Sequence, residues 1–180
     1  CEKLLDPVVE KICGLLGEDV YGVDVDSLEQ VVGDGLRQRG LTLAVAESCT
    51  GGLLSGRITD VPGCSDYYLG GVCSYANEVK RKVLGVKKET LDTVGAVSPE
   101  VAEQMAEGVA KALGSDVGVG ITGVAGPGGG TDEKPVGLVY ISVWYKGQHF
   151  TRKMQAANGR DRIRMQAAST ALDMIRRNIF

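Results

Sequence analysis

The sequence predicts an α/β fold: a three-layer α/β/α sandwich around a mixed, mostly parallel sheet of about five strands, with a C-terminal hairpin and helix. Short apolar runs alternate with segments of helical periodicity along most of the 180 residues, a pattern typical of sheets covered by helices on both faces. The last two predicted strands are joined directly at Lys146-Gly147, which indicates a hairpin. The 26 glycines cluster at predicted strand ends, which favours binding loops over disorder.

The first predicted elements lie before the sheet. Apolar residues at helical spacing predict a helix over residues 4–16, and residues 20–25 alternate as in a short strand. This segment has too little apolar surface to fold alone, so we expect it to dock on another surface. The chain begins with Cys1 rather than Met, and we expect it to be a fragment of a longer protein.

Three residues mark helix starts in the rest of the chain. Ser27 is a predicted N-cap, with Gln30 completing a capping box. Ser98 precedes a proline and an acid, which together indicate a strong start. Asn77 is the predicted cap of a helix that carries Lys80. Apolar spacing predicts the helices at about 28–39, 51–60, 78–84, 87–93, 99–113 and from 161.

The predicted strands place three polar or glycine-rich clusters at one edge of the sheet. Strands are predicted at 42–46, 67–74, 116–122, 136–145 and 149–155. Ligands of such sheets bind beyond the carboxyl ends of the strands. The clusters that follow those ends are Glu47–Gly52, Ser74–Lys80 and Thr122–Thr131.

Composition excludes several classes of protein. The net charge of −3, without blocks of like charge, argues against a nucleic-acid or anionic-membrane binder. No apolar run approaches the roughly 18–20 residues that span a bilayer, and no signal-peptide pattern opens the chain. Five cysteines without a Cys-x-x-Cys pair indicate a reduced, cytoplasmic protein, with Cys64 and Cys73 expected in or near the core. The single histidine, His149, excludes a His-rich metal site and any Ser-His-Asp triad that does not use it.

The first cluster combines a hydroxyl with a helix start. Glu47, Ser48, Cys49 and Thr50 directly follow a buried strand and precede Gly51-Gly52. The first turn of a helix presents unpaired N–H groups and a positive dipole end. A hydroxyl beside such donors can be a nucleophile next to an oxyanion hole. The alternative interpretation is that Thr50 is an N-cap and the glycines form a tight turn.

The second cluster contains a lysine in an unusual position. If Asn77 caps its helix, Lys80 lies in the first turn, where the dipole disfavours a cation and lowers the lysine pKa. A neutral lysine is a competent general base. Moving its pKa from about 10.4 to near 7 requires roughly 4–5 kcal/mol, so burial and a nearby cation must contribute. The alternative is a solvated surface lysine beside Arg81 and Lys82.

The third cluster is a loop of little bulk. Five of the residues in Thr122–Thr131 are glycine, and such a loop can wrap a phosphate or ribosyl phosphate; the alternative is a flexible connection. The preceding segment Gly118–Gly123 matches G-x-G-x-x-G. It lies inside a strand with no helix after it, so it is not a dinucleotide fingerprint. There is no P-loop motif either.

Together these clusters resemble the C-terminal domain of competence/damage-inducible protein CinA, the nicotinamide mononucleotide deamidase family. The resemblance covers about Leu28 to the C-terminus, with residues 1–25 resembling the tail of the region that precedes this domain in longer members. We therefore expect a remnant over 1–25 and a CinA C-terminal-like amidohydrolase domain over 26–180. The motifs that carry the resemblance are Ala46–Gly52, Tyr75–Lys80, Gly95–Ser98, Gly123–Gly129 and Glu133–Gly137.

The resemblance implies an amidohydrolase that converts nicotinamide mononucleotide and water to nicotinate mononucleotide and ammonia, in pyridine-nucleotide recycling. It implies that the reaction uses no metal, no cofactor and no catalytic histidine. It also implies a homodimer, and that this chain is the C-terminal part of a longer one. By the family pattern Ser48 is the nucleophile, Lys80 its base and Tyr75 an assisting residue. The implied substrate-binding residues are Glu47, Thr50, Gly51, Gly52, Thr122, Gly126, Gly128, Gly129 and Arg160, the last reaching a phosphate across a subunit boundary.

Two departures and two alternatives accompany the resemblance. Asn158-Gly159-Arg160 stands where the family usually has Gly-Asp-Arg, and Ser74-Tyr75-Ala76 stands where Tyr-Ser is usual. One alternative places the nucleophile at Cys49, near the helix start where thiolates are favoured. The other is a non-catalytic nucleotide-binding module that regulates a larger CinA protein.

Overall fold

The computed structural model describes residues 2–157 and 159–180, with side chains from residue 5 onward. Five strands and seven α-helices follow one another in the predicted order, except that the described residues lack the short strand predicted at 20–25. The strands are β1 (Leu43–Glu47), β2 (Tyr68–Cys73), β3 (Val117–Gly123), β4 (Leu138–Tyr145) and β5 (Gln148–Gln155). The helices are α1 (Glu2–Leu16), α2 (Leu28–Arg39), α3 (Leu53–Thr59), α4 (Asn77–Leu84), α5 (Lys88–Thr93), α6 (Pro99–Leu113) and α7 (Arg160–Ile179), with 3₁₀ turns at Gly17–Asp19 and Cys64–Asp66.

The sheet is mixed and has the strand order β2-β1-β3-β4-β5. β1 pairs in parallel with β2 and β3, whereas β4 pairs antiparallel with β3 and with β5. Glu47 at the end of β1 lies opposite Cys73 of β2 and Ile121 of β3. The carboxyl ends of these three strands therefore meet at one edge, where the predicted clusters follow.

Two apolar layers confirm the predicted sandwich. Leu43 and Val45 of β1 face one core, which α2, α3 and α7 cover, and Ala44 and Ala46 face a second core with α4 and α6. The alternation arises because successive side chains of a strand point to opposite faces. No helix of the described chain is long and apolar enough to cross a membrane.

The glycines of the rejected dinucleotide motif have a packing role. A Cβ on Gly118 would lie 2.1 Å from the carbonyl oxygen of Ala106, and one on Gly120 would lie 2.2 Å from that of Ala102. Real Cβ atoms do not approach backbone this closely. These positions of β3 are glycine because α6 lies directly against the strand.

Two predicted helix caps are confirmed and two further predictions are wrong in detail. Ser27 Oγ accepts from the Gln30 amide at 3.1 Å, and Ser98 Oγ accepts from the Val101 amide at 3.3 Å. The capping box is incomplete, however, because among the described residues the Ser27 amide makes no hydrogen bond to the Gln30 side chain, whose Nε2 donates to Asp34. Asn77 is not a cap: Ala76 occupies that position and Asn77 is the first residue of α4.

The N-terminal segment also departs from prediction. Residues 20–25 form an irregular segment with bends at 23 and 24 rather than a strand. Helix α1 forms as predicted, but none of the side chains of residues 5–16 is buried. Leu15 is 76 % exposed. The docking surface expected for this helix is not found within the described chain.

Candidate active site

A cavity of about 210 Å³ opens at the sheet edge where β1, β2 and β3 end. Side chains from all three predicted clusters line it. They come from the turn after β1, from the start of α4, from the end of β3 and from the start of α7. The polar members are Ser48, Tyr75, Asn77, Lys80, Thr122 and Arg160.

Ser48 and Lys80 meet in this cavity. The two side chains are 32 positions apart in the chain, yet Lys80 Nζ lies 3.1 Å from Ser48 Oγ. Lys80 is only 1 % exposed, so the alternative interpretation as a solvated surface lysine is wrong. Nζ also lies 2.6 Å from the carbonyl oxygen of Ser74 and 3.3 Å from that of Tyr75.

The surroundings of the Lys80 amine accommodate its neutral form. The three contacts fit either protonation state: an ammonium has three N–H donors for the three oxygens, and a neutral amine has two N–H donors for the carbonyl oxygens and one lone pair for the Ser48 hydroxyl. No carboxylate of the described residues forms an ion pair with it. Burial lowers the pKa of Lys80 below its ordinary value, with Cys49 opposing the shift. The arrangement can therefore remove a proton from the serine hydroxyl.

Glu47 is buried and bound within its own loop. Oε2 accepts from the amides of Gly52 at 3.1 Å and Leu54 at 3.0 Å, and Oε1 accepts from the Ser55 amide at 2.9 Å and the Ser55 hydroxyl at 2.7 Å. The carboxylate thus holds the start of α3 against the end of β1. It shapes the turn that carries Ser48 and does not line the cavity.

The turn between Ser48 and α3 retains unpaired amides. Gly51 and Gly52 adopt φ angles of 61° and 94°, which glycine reaches without a Cβ penalty. The Gly52 amide donates to Glu47, so it is not available as an oxyanion donor. The amides of Cys49, Thr50 and Gly51 make no hydrogen bond to any described residue. Any backbone oxyanion donors of this turn therefore lie over 49–51.

Thr50 is held in place by a hydrogen bond from a residue of α7 to its backbone. Its side chain is fully buried, and its hydroxyl has no partner among the described residues and caps no helix. The N-cap interpretation of Thr50 is therefore wrong. Its carbonyl oxygen accepts from Arg164 Nε at 3.2 Å and Nη2 at 2.7 Å. Since C=O and N–H point to opposite sides of a trans peptide, this contact turns the Gly51 N–H away from Arg164.

Arg160 joins the glycine-rich loop to the rim of the cavity. Its Nη1 donates to the carbonyl oxygen of Gly126 at 2.8 Å, and its Nη2 lies 3.5 Å from the hydroxyl of Tyr75. Tyr75 is 67 % exposed and stands at the mouth. The guanidinium therefore lies in the cavity of its own chain. Asn158, one of the departures from the family pattern, lies outside the described residues.

Thr122 and Cys49 complete the wall. Thr122 Oγ1 donates to the carbonyl oxygen of Ala96 at 2.7 Å, which leaves its lone pairs able to accept. Burial raises the pKa of the Cys49 thiol to about 11. The thiol is therefore neutral near pH 7, and the environment does not activate it as the alternative nucleophile requires.

The structure gathers some predicted residues and not others. The cavity brings together Ser48, Tyr75, Lys80, Thr122 and Arg160. The predicted glycines at 51, 52, 126, 128 and 129 are not among the residues that line it, although Gly126 touches Arg160. The sequence did not predict that Asn77 lines the cavity or that Arg164 donates to the Thr50 carbonyl oxygen. Cys73, expected near the core, is exposed.

Comparisons with known proteins identify the domain. The family model of the CinA C-terminal domain matches residues 25–179. A CinA-like protein of Desulfovibrio desulfuricans is 52 % identical over 99 % of this chain and 43 % of its own length. A CinA-like protein of Kosmotoga olearia is 50 % identical over 98 % of this chain and 43 % of its own length. The chain thus spans less than half the length of these curated relatives.

Solved structures agree with this match. The crystal structure of competence/damage inducible protein CihA from Agrobacterium tumefaciens superposes with a TM-score of 0.81 at 40 % identity, covering 87 % of this chain and 96 % of that one. The CinA superfamily protein from Enterobacter cloacae gives 0.82 at 28 % identity, covering 88 % and 98 %. The sequence match and the structural superpositions both cover most of the chain. The chain belongs to the CinA family through its CinA C-terminal domain.

Proposed function

We propose that this chain is an amidohydrolase that converts nicotinamide mononucleotide and water to nicotinate mononucleotide and ammonia, in pyridine-nucleotide recycling. The observation that carries the proposal is the contact of 3.1 Å between Lys80 Nζ and Ser48 Oγ in an open cavity. The choice of substrate is supported by the family resemblance of the three motifs at this edge.

Acylation begins with proton transfer inside this pair. The neutral Lys80 amine takes the proton of the Ser48 hydroxyl, and the oxygen attacks the carboxamide carbon. Unpaired amides of the turn at 49–51 are the candidate donors to the oxyanion. The C–N bond then breaks as the Lys80 ammonium protonates the leaving nitrogen, which departs as ammonia. Lys80 is neutral again.

Deacylation repeats these roles with water. Lys80 accepts a proton from water as the water oxygen attacks the acyl carbon. The acyl–oxygen bond to Ser48 breaks, and the ammonium returns the proton to the serine oxygen. The acid product leaves and the pair is restored, so no metal or other group is required for proton balance.

The rim supplies the groups for the rest of the nucleotide. A cavity of about 210 Å³ suits the carboxamide-bearing ring, which leaves the ribose phosphate towards the mouth. There Arg160 offers a charge-assisted contact to a phosphate, and the loop that it touches at Gly126 has little side-chain bulk. We propose that Gly126, Gly128 and Gly129 of this loop lie against the ribose phosphate. We also propose that the protein is a homodimer and that this chain is part of a longer one.

Ammonia release from purified protein tests the proposal. We expect turnover of nicotinamide mononucleotide and little of free nicotinamide, because the latter lacks the phosphate. Ser48→Ala and Lys80→Ala are each expected to reduce kcat by roughly 10³-fold or more, since they remove the nucleophile and its base. Circular dichroism of both variants checks that the fold is retained.

Different outcomes separate the alternatives. Full activity in either variant contradicts the Ser48–Lys80 mechanism. Loss of activity in Cys49→Ala, with activity retained in Ser48→Ala, moves the nucleophile to Cys49. Thermal stabilisation by the nucleotide without ammonia release supports the non-catalytic binding module instead.

A further inference from the structure

Asn77 has a side chain that the fold itself does not use. It is the first residue of α4, whose cap position is taken by Ala76, and its carboxamide makes no hydrogen bond to any described residue. Asn77 is exposed to solvent, and it also lines the cavity. It precedes Lys80 by three positions, so the two side chains leave the same face of the helix.

The other polar side chains of the wall offer no carbonyl oxygen. The N–H groups of Lys80 meet backbone carbonyl oxygens, and Thr122 donates its hydroxyl proton to Ala96 while its lone pairs can still accept. Arg160 is a donor only. No carboxylate lines the cavity within the described chain. Asn77 therefore offers the one side-chain carbonyl oxygen in this wall, together with an NH₂ group.

A primary carboxamide needs such an acceptor. Its nitrogen carries two N–H groups that lose their water partners on binding, and an unmatched buried donor is unfavourable. A neutral amide oxygen can accept one of them without adding a negative charge beside Lys80, which would raise the lysine pKa.

We propose that Asn77 is a specificity-determining residue, whose carboxamide oxygen accepts an N–H of the leaving nitrogen and so selects primary carboxamides. This inference rests on the proposed function and goes beyond it by assigning the recognition of the leaving group. An ester of the same acid has no N–H at that position, so Asn77 gives it no such contact.

A matched pair of substrates tests the assignment. Nicotinamide mononucleotide and the carboxylic methyl ester of nicotinate mononucleotide differ only at the leaving group. In Asn77→Ala we expect kcat/KM for the amide to fall about tenfold or more, and kcat/KM for the ester to change less than about threefold. Glu78→Ala alters a neighbouring residue that is also exposed but does not line the cavity, and it is expected to leave the ratio of the two values unchanged.

A second variant separates recognition from charge. Asn77→Asp keeps an acceptor and adds a negative charge near the amine. We expect it to keep the preference for the amide over the ester, while the acidic limb of its pH–rate profile moves to higher pH as the Lys80 pKa rises. A merely structural role of Asn77 would not separate these two readouts.

The outcomes are distinct. Equal losses for amide and ester in Asn77→Ala, or no loss for the amide, overturn the assignment while leaving the amidohydrolase proposal intact. If the wild-type protein releases no ammonia from the nucleotide, the proposed function fails and the assignment fails with it.

Discussion

Lys80 illustrates how a single side chain acquires its chemistry from its surroundings. A long aliphatic stem carries the amine inward, where it is 1 % exposed and meets only oxygen atoms of Ser48, Ser74 and Tyr75. Desolvation disfavours the ammonium form. The amine is thereby prepared to accept a proton from the hydroxyl beside it.

The same burial makes stability depend on pH in a definite direction. The Lys80 pKa is lowered in the folded protein and returns to about 10.4 on unfolding. Between these two values the unfolded chain binds more protons, so the free energy of unfolding rises with pH. We expect the wild-type free energy of unfolding, minus that of Lys80→Met, to rise with pH across this window and to level off above about 10.4.

Urea unfolding at a series of pH values from 7 upward measures this difference. Lys82→Met, on the exposed face of the same helix, controls for the removal of one positive charge. A difference between wild type and Lys80→Met that stays constant from pH 7 to 10 would show that the Lys80 pKa is not lowered.

The sequence predicted the lowered pKa of Lys80 but could not establish its main cause. Helix position suggested the dipole, with burial and a nearby cation as the further contributions, whereas burial is the cause that lowers the pKa of Lys80 in the structure. Burial depends on how α4 packs against α6 and the sheet, which no local pattern reveals. Asn77 was misassigned for a related reason: its type suits a cap, but the backbone bends one residue earlier, at Ala76.

At the scale of elements, one carboxylate joins a strand to the next helix. Glu47 ends β1 and accepts four hydrogen bonds from the start of α3. The turn between them carries Ser48. The alternation of apolar and helical segments predicted both elements and the turn, but not that the Gly52 amide would already be engaged.

The contact between β3 and α6 gives a prediction at this scale. Gly120→Ala would place a Cβ 2.2 Å from the Ala102 carbonyl oxygen and 2.7 Å from the Ala106 amide nitrogen. Since both atoms are backbone, the helix must move away from the sheet. We expect a loss of about 1–3 kcal/mol in the free energy of unfolding, measured by urea denaturation.

Gly56→Ala is the matched control for this substitution. Gly56 lies in α3 with open space where its Cβ would be, and alanine favours helix by about 1 kcal/mol over glycine. We expect this variant to be as stable as the wild type or more so. Equal effects of the two substitutions would contradict the packing argument for Gly120.

At the scale of the whole molecule, topology assembles the site. The three clusters are separated by 22 or more positions in the chain. They meet because β2, β1 and β3 are neighbours and run parallel. Their carboxyl ends share one edge, to which the start of α7 adds Arg160.

The N-terminal segment contributes little to this assembly. None of its side chains over 5–16 is buried, and exposed ion pairs such as that of Arg177 with Glu18 contribute little to stability. We expect a chain lacking residues 1–24 to keep its melting temperature within a few degrees and to retain the ammonia-releasing activity. Differential scanning calorimetry measures the first. A truncated chain that fails to fold would show that this segment is part of the domain.

The sequence by itself determined the fold class, the order of the elements of the main domain and the three clusters, because periodicity, caps and turns depend on residues within a few positions of one another. Only the tertiary structure decided that Lys80 is buried against Ser48, that Glu47 binds its own loop, that Asn77 lines the cavity and that the described residues leave α1 uncovered. These features depend on distant segments packing together, since burial and hydrogen-bond partners arise only when the strands and helices are placed side by side.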